Sequence, residues 1–268
     1  MAEHIARKRF GQHFLCDDDI IHAIVHAIRP QTSDNLVEIG PGLGALTRPL
    51  LEALPHFHVV ELDRDIVARL EKQYPAKKLR IHAADALEFD FSSLGERLRV
   101  VGNLPYNIST PLLFHLAEHA PHLYDIHAML QKEVVDRMTA SPGHGAYGRL
   151  SVMLQYHFDM EALFDVPPEA FNPPPKVQSA VVRMIPRPFP GIAVHDHALF
   201  SRTVAQAFSQ RRKTLRNSLG KLVKEADYRT LDIDPTLRAE NLPVEAFIRL
   251  SNHLLHTSTP ISTSAPKG

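Results

Sequence analysis

Short apolar runs alternate with amphipathic segments along residues 18–158 of the chain. The runs NLVEIG, HVVELD, LRIHAAD, LRVVGN and IHAMLQ have the length and the branched apolar side chains of buried strands. Around them, segments such as DDDIIHAIVHAI, RDIVARLEKQY and PLLFHLAEH repeat their apolar residues at helical spacing. Alternating strands and helices predict an α/β fold with a Rossmann-like, doubly wound and mainly parallel sheet.

The sequence also predicts where the helix PLLFHLAEH begins. Ser109 and Thr110 are residue types that cap helix N-termini, and Pro111 would then occupy the first helical position. A proline is tolerated there because its missing N–H would have had no intrahelical partner. We therefore expect the helix proper to begin at Pro111.

The pattern changes after residue 158. MEALFDV and SAVVRMI are strand-like, and the proline-rich stretch between them is non-helical, so we expect an antiparallel pair at the sheet edge. PRPFPG, residues 186–191, is typical of a linker. Beyond it, apolar residues fall near helical spacing at Val204, Phe208, Leu215, Leu219 and Leu222.

These changes predict three parts of the chain. Residues 1–186 should form the α/β domain, and residues 187–256 a small all-α C-terminal domain. The small and polar residues 257–268 are typical of a disordered tail.

Composition narrows the class of protein. With 268 residues, 44% of them hydrophobic, the chain can bury one large core and a smaller one. No uncharged apolar run approaches the length that crosses a bilayer, so we expect no membrane association. Cys16 is the only cysteine, which excludes an intramolecular disulfide and fits a reducing cytoplasm. The 17 histidines show no HExxH pattern, so we expect no metal site.

Positive charge is concentrated in two segments although the net charge is zero. Residues 201–224 contain seven Lys or Arg side chains and no acidic one, and ARKRF near the start adds three more. Such a local excess indicates contacts with phosphates, whereas a solvated helix face is the alternative. The candidate RNA-binding side chains are Arg7, Lys8, Arg9, Arg211, Arg212 and Lys213.

A glycine-rich turn follows NLVE. In EIGPGLGALT, Gly40 and Gly42 let the backbone approach a ligand at a helix N-terminus. Glu61 ends the second strand, where an acid accepts hydrogen bonds from ribose hydroxyls, and Asp85 ends the third, where it could accept from an adenine amine. The compact turn suits the methionine end of S-adenosylmethionine better than a pyrophosphate. Solvated acids at strand ends are the alternative.

The sequence VGNLPYN ends the fourth strand at the same sheet edge. An adenine amine is a weak nucleophile because its lone pair is delocalised, and two hydrogen-bond acceptors would draw it toward tetrahedral geometry. The Asn103 side-chain oxygen and the Leu104 carbonyl are candidate acceptors, and Pro105 restricts Leu104 to an extended conformation. Tyr106 offers a face on which a flipped base stacks. Phe171 is the candidate for the opposite face, or else a core aromatic.

Together these residues resemble the ribosomal RNA adenine N6,N6-dimethyltransferases of the KsgA/RsmA family, the bacterial enzymes most closely. The resemblance covers most of the chain, in RKRFGQHFL, VEIGPGLGALT, ELDRD, GNLPYNISTPLLFHL, LQKEV, YGRLSVMLQY, PPKVQSAVV and RRKTLRNSL. It implies a class I methyltransferase domain followed by a small helical domain. It also implies dimethylation of two adjacent adenosines in the hairpin loop near the 3′ end of 16S rRNA, within an immature 30S subunit.

The resemblance further implies which residues hold the cofactor. S-adenosylmethionine, which leaves as S-adenosylhomocysteine, should contact His13, Leu15, Gly40, Glu61, Asp85 and Asn103. The family's motif commonly reads GQNFL, and here His13 replaces the Asn. If the His13 side chain makes this contact, cofactor affinity should depend on pH near neutrality. The basic segment around Arg211 resembles an rRNA-docking helix, and the expected form is a cytoplasmic monomer active in ribosome biogenesis.

Three other functions remain open at this point. A DNA adenine methyltransferase shares the Asn-x-Pro-aromatic logic but should carry a base-reading domain. An assembly factor would bind the immature subunit with catalysis secondary to its role. A dehydrogenase would use the glycine turn for a nicotinamide cofactor.

Overall fold

The computed structural model describes residues 13–187 and 192–257. These residues divide into two compact units. The sheet unit contains residues 13–136 and 157–186, and the helical unit contains the described residues of 137–156 and from 187 onward.

The sheet unit is built on seven strands in the order β4-β3-β2-β5-β6-β9-β7, beside a separate two-stranded ladder of β1 and β8. Neighbouring strands from β4 through β6 run parallel, whereas β9 is antiparallel to both β6 and β7. The predicted parallel sheet with an antiparallel edge is therefore confirmed. The strands are β1 Phe14–Leu15, β2 Asn35–Ile39, β3 Phe57–Glu61, β4 Leu79–Ala83, β5 Leu98–Asn103, β6 Leu123–Gln131, β7 Phe158–Val166, β8 Phe171–Asn172 and β9 Ser179–Pro186.

The helices begin where the sequence supplies caps. At α1, the Asp17 carboxylate accepts a hydrogen bond from the N–H of Ile20 at 3.1 Å, and at α3 Asp63 accepts from the N–H of Asp65. The helices are α1 Asp18–Ile28, α2 Thr47–Ala53, α3 Arg64–Gln73, α4 Ser109–Glu118, α5 Lys132–Thr139, α6 Arg149–Gln155, α7 His197–Ala207, α8 Leu215–Leu219, α9 Glu225–Thr230 and α10 Val244–Thr257.

The predicted start of α4 is wrong. The helix begins at Ser109, after Ile108 in the capping position, and no side chain caps it. Pro111 is therefore the third helical residue. The Ser109 hydroxyl instead donates to the carbonyl of Tyr106 at 3.1 Å, so its partner lies in the preceding turn.

The register of the parallel strands brings their carboxyl ends to one edge. Glu61 of β3 lies opposite Ala83 of β4, and Asn103 of β5 lies opposite Met129 of β6. The close approach of β5 to β2 requires a glycine just before Asn103, because a Cβ on Gly102 would lie 2.5 Å from a backbone carbonyl oxygen of β2. Backbone geometry thus presents the last residues of these strands together.

The helical unit packs around large aromatic side chains. Phe200 of α7, Tyr228 of α9 and Phe247 of α10 are each 1% exposed or less. The segment 137–156 shares this core, and the hydroxyl of Tyr147 donates to the carbonyl of Leu242 at 3.0 Å. Residues 137–156 therefore pack with the helical unit, whereas the sequence placed them in a first domain that runs to residue 186. The domain bounds 1–186, 187–256 and 257–268 stay a prediction.

The basic segment is not one helix, which corrects the prediction. Helix α7 ends at Ala207 and α8 begins at Leu215, so residues 211–213 lie in an exposed turn between them. Leu222, expected on an apolar helix face, is 45% exposed.

Within the described ranges, no helix is long and apolar enough to span a bilayer. Most of the predicted tail, residues 258–268, lies outside the described residues, and Thr257 is the last residue of α10.

Candidate active site

A cavity opens at the carboxyl edge of the sheet unit. Its walls come from the N-terminal segment, the glycine turn after β2 and the residues that end β3, β4 and β5. Every residue predicted to bind the cofactor lies on this wall, namely His13, Leu15, Gly40, Gly42, Glu61, Asp85 and Asn103. The fold therefore brings together positions that are far apart in sequence.

The glycine turn is shaped by left-handed backbone. Gly40 has φ +64° and Gly42 has φ +54°, a region that side chains rarely adopt. A Cβ on Gly42 would also lie 3.1 Å from the ring of Phe14. The turn is fastened to the sheet by the N–H of Gly40, which donates to the carbonyl of Val60 at 3.0 Å.

Glu38 is a buried acid at the floor of the cavity. It is 2% exposed, and the Thr47 hydroxyl donates to its carboxyl oxygen at 2.6 Å. Burial raises the pKa of Glu38 to about 8, the Thr47 hydrogen bond opposes the rise, and the nearby Glu61 adds to it. With a pKa of about 8, Glu38 is mostly protonated at neutral pH.

Glu61 and Asp85 are held by backbone N–H groups. The N–H of Asp63 donates to Glu61 Oε1 at 2.8 Å, and the N–H of Leu87 donates to Asp85 Oδ1 at 2.9 Å. Burial raises the pKa of Glu61, a rise that the N–H of Asp63 opposes. Leu62, which follows Glu61 in the chain, also lines the cavity and is 50% exposed. One wall thus combines two oriented carboxyl groups with an open apolar surface.

The turn after β5 offers two hydrogen-bond acceptors. The side-chain N–H of Asn103 donates to the carbonyl of His13 at 2.9 Å, which leaves the Asn103 Oδ1 atom on the other side of the amide. The N–H of Leu104 donates to the carbonyl of Met129 at 3.1 Å. Neither Asn103 Oδ1 nor the Leu104 carbonyl accepts a hydrogen bond from the residues that the structure describes.

Tyr106 lies beside these acceptors and is held at both ends. Its hydroxyl is 2.5 Å from the Ser179 hydroxyl, and its carbonyl accepts from Ser109. Burial raises the pKa of Tyr106, which therefore stays neutral. The sequence reasoning missed Ser179, although a serine opening the apolar run SAVV was a signal.

His13 joins three segments of the site. Its ring lies 5.6 Å from the Tyr106 ring between centroids, with the planes 26° apart. Its Nδ1 atom lies 2.8 Å from the carbonyl of Pro173, so Nδ1 carries the proton in that bond. Its own carbonyl accepts from Asn103. Both its backbone and its side chain therefore bind other parts of the protein.

Phe171 is not among the residues that line the cavity, and its assignment as the second face of a base clamp stays a prediction. The ring is 3% exposed and packs in the core of the sheet unit, and the backbone of Phe171 pairs with Leu15 in the β1–β8 ladder. The alternative interpretation, a core aromatic beneath the proline-rich loop, describes its position.

The predicted RNA-binding residues are only partly visible. Arg211, Arg212 and Lys213 are exposed in the helical unit, and the Arg211 guanidinium donates to the carbonyl of Gly145 at 2.7 Å. Arg7, Lys8 and Arg9 lie outside the described residues. In the described part of the chain, no three His, Cys, Asp or Glu side chains are arranged to hold a metal ion.

Known proteins are similar to this chain in sequence. The family model for ribosomal RNA adenine dimethylase matches residues 3–255. A ribosomal RNA small subunit methyltransferase A of Thiobacillus denitrificans is 63% identical over 251 residues, which are 94% of this chain and 98% of that protein. The protein of the same name from Chromobacterium violaceum is 62% identical, over 95% of this chain and 97% of its own.

Two solved structures have the same fold. A dimethyladenosine transferase from Plasmodium falciparum superposes with a TM-score of 0.76 at 24% identity, covering 92% of this chain and 98% of that one. The 23S rRNA methyltransferase ErmE superposes with a TM-score of 0.69 at 24% identity, covering 90% and 99%. The predicted class I methyltransferase fold with a helical C-terminal part is confirmed. Because the family model matches nearly the whole chain and two relatives exceed 60% identity, the chain belongs to the ribosomal RNA adenine dimethylase family and is an S-adenosylmethionine-dependent rRNA adenine methyltransferase.

Proposed function

We propose that this chain dimethylates N6 of two adjacent adenosines in the hairpin loop near the 3′ end of 16S rRNA, within an immature 30S subunit. The observation that carries the proposal is the pair of open acceptors, Asn103 Oδ1 and the Leu104 carbonyl, beside the ring of Tyr106. An exocyclic amine has two N–H groups and suits such a pair. The names of the relatives, which specify the small ribosomal subunit, support the choice of RNA.

The cavity fits S-adenosylmethionine by the chemistry of its wall. Glu61 would accept hydrogen bonds from the ribose hydroxyls, and Asp85 would accept from the adenine amine. The apolar surface of Leu62 would cover the base, and the turn at Gly40 and Gly42 would admit the methionine end without a Cβ in its way. His13 and Leu15 would close the cavity from the N-terminal side. When bound, the cofactor supplies an electrophilic methyl group.

The chain's contribution to the reaction is to position the amine. The acceptors of Asn103 and Leu104 take one N–H each and aim the nitrogen lone pair, while Tyr106 supports the base by stacking, worth ~1–3 kcal/mol. Pro105 holds the Leu104 carbonyl in place. A strong general base is unnecessary because the amine proton becomes acidic once the nitrogen gains a methyl. Much of the rate enhancement would then come from orientation.

RNA docking would use the exposed basic turn, residues 211–213. Replacing Arg211, Arg212 and Lys213 with Gln should weaken binding to 16S rRNA and flatten the log–log salt dependence by about 0.7–0.9 for each lost phosphate contact. Neutralising Lys77, Lys78 and Arg80, which are exposed in the sheet unit, removes the same charge and serves as the control. Equal slopes for the two variants would remove the turn from the interface.

The decisive experiment for the proposed function is mass spectrometry of the 3′ rRNA fragment. Unmethylated 30S particles incubated with the protein and S-adenosylmethionine should gain four methyl groups on two adjacent adenosines. Duplex DNA in a parallel reaction should remain unmodified. Methylation of DNA alone would sink the proposal and favour a DNA adenine methyltransferase.

The cellular setting follows from this substrate. A protein that acts on the immature 30S subunit would work in the bacterial cytoplasm and contribute to ribosome biogenesis. The proposed form of the protein is a monomer. An Asn103→Ala variant separates methylation from a role in subunit assembly, because an assembly function that does not depend on methylation would survive the substitution. Light scattering of the pure protein would test the monomer.

A further inference from the structure

One buried hydroxyl contacts the site without lining the cavity. Ser179, the first residue of β9, is 0% exposed and lies 2.5 Å from the Tyr106 hydroxyl, although 73 residues separate the two in sequence. Its backbone lies opposite Gln131 of β6 and Val166 of β7. The Ser179 side chain is therefore fixed by two neighbouring strands at the carboxyl edge of the sheet.

The two hydroxyls are mutual partners. Among the described residues, neither Tyr106 Oη nor Ser179 Oγ makes another hydrogen bond. Tyr106 is half-buried, and replacing Ser179 would take away the hydroxyl partner that its Oη has among the described residues. The bond thus determines where the far end of the ring can lie.

Three contacts together define the plane of the Tyr106 ring. Ser109 holds its carbonyl, Ser179 holds its hydroxyl, and the His13 ring covers one side with planes 26° apart. The bond at the hydroxyl restrains χ1, which would otherwise swing the far end of the ring, and the stacked His13 ring restrains χ2, the rotation about the ring's own axis. The face away from His13 is consequently presented at a constant angle to Asn103.

We propose that Ser179 is a positioning residue for methyl transfer: it fixes the Tyr106 ring so that a flipped adenine stacks with its amine at Asn103 and Leu104. This assignment rests on the proposed function. Orientation effects of this kind require placement within about 0.5 Å, and a bond to a serine held by two strands supplies such rigidity. Ser179 itself is not among the residues that line the cavity.

A double-mutant cycle tests the assignment. Ser179→Ala and Tyr106→Phe should each lower kcat/KM for unmethylated 30S particles by about 3- to 10-fold, the range of one net hydrogen bond. The double variant should lose no more than either single one, since each removes the same bond. The dissociation constant of Ser179→Ala for S-adenosylmethionine, measured by calorimetry, should stay within about twofold because Ser179 does not line the cavity.

Ser251→Ala is the matched control. Ser251 is equally buried, at 2% exposure, and donates to the backbone carbonyl of Ile248 in the helical unit. This variant should keep the wild-type kcat/KM even if its melting temperature falls. If Ser179→Ala does not fold, Ser179→Cys, with a similar volume and a weak S–H donor, replaces it in the cycle.

The outcomes separate the hypotheses. Losses that multiply in the double variant, or a lower melting temperature with unchanged kcat/KM, would overturn the positioning role and leave Ser179 as a structural residue. A changed affinity of the Ser179→Ala variant for S-adenosylmethionine would overturn the positioning role as well. A wild-type protein that does not methylate the particles would sink the proposed function and this assignment with it.

Discussion

The two ends of strand β5 contrast sharply in how their polar groups are used. At its amino end, the Arg99 guanidinium donates to both Asp125 oxygens at 2.9 and 2.7 Å, to Asp34 at 2.6 Å and to the carbonyl of Ile28 at 2.7 Å. At its carboxyl end, Asn103 uses its N–H on His13 and keeps its oxygen open toward the cavity.

This difference separates stability from function within a single strand. Arg99 is 6% exposed and its charge is matched by two carboxylates, so the network is closed and holds β5, β6 and the end of α1 together. An open acceptor at a cavity adds little to stability, since it gains nothing until a ligand donates to it. Replacing Arg99 should therefore affect mainly stability, and replacing Asn103 mainly activity.

Arg99→Ala should have the largest effect. The substitution leaves the carboxylate of Asp125, which is 6% exposed, buried without the Arg99 guanidinium. We therefore expect the free energy of unfolding to fall by about 3–5 kcal/mol. Urea denaturation followed by circular dichroism measures the loss. At 10 °C, the folded fraction should keep its kcat, and a stability within 1 kcal/mol (roughly the error of such measurements) of wild type would contradict the closed network.

Asn103→Ala should reverse that pattern. We expect kcat on unmethylated 30S particles to fall about 10²–10³-fold, the range for removing one oriented group that stabilises a transition state. Stability should change by less than about 1 kcal/mol because no buried partner other than a backbone carbonyl is lost.

Asn35→Ala is the control for this comparison. Asn35 opens β2 at the opposite end of the sheet, where its side chain donates to the carbonyl of Leu94 at 2.9 Å. Its replacement should change stability about as little as Asn103→Ala does, because each variant loses one side-chain bond to a backbone carbonyl, but it should leave kcat unchanged. Equal kcat values for the Asn35 and Asn103 variants would remove Asn103 from the reaction.

Glu38→Gln should alter the pH dependence of stability. The folded pKa is raised to about 8 from 4.5, so above pH 4.5 the unfolded chain releases a proton that the folded protein retains. Glu38 therefore stabilises most at low pH, and this contribution is lost as pH rises toward 8. Between pH 5 and 7 we expect the wild type to lose about 2–3 kcal/mol relative to Glu38→Gln, whose amide keeps the Thr47 hydrogen bond.

Denaturation midpoints of both proteins at pH 5, 6, 7 and 8 measure this difference. Parallel curves for the two proteins would mean that Glu38 titrates normally.

Asp85→Ala should have the smallest effect, confined to the cofactor. We expect S-adenosylmethionine binding to weaken by ~1–3 kcal/mol, as for one lost hydrogen-bond partner. Asp90→Ala is a suitable control, because Asp90 accepts from Ser92 in an exposed turn outside the cavity. An unchanged dissociation constant for the Asp85 variant would remove Asp85 from the site.

Local patterns were sufficient to predict the strands of the seven-stranded sheet and their alternation with helices. They did not predict the two-residue strands β1 and β8, and β4 ends at Ala83, two residues before the Asp85 that was expected to end it. Apolar periodicity identifies a strand, and a parallel sheet necessarily gathers strand ends at one edge. For this reason the amino-acid sequence alone assigns Gly40, Glu61, Asp85 and Asn103 to one cavity. The antiparallel pair of β7 and β9 followed from a short non-helical connection.

Only the tertiary structure decided which side chains meet across long sequence separations. The His13 carbonyl and Asn103 are 90 residues apart, and Tyr106 and Ser179 are 73 apart. No local pattern specifies such pairs, because they depend on how loops cross the sheet edge. The same limit explains the burial of Phe171 and the placement of segment 137–156. Sequence periodicity reports the face a residue occupies, whereas its partner is determined by packing.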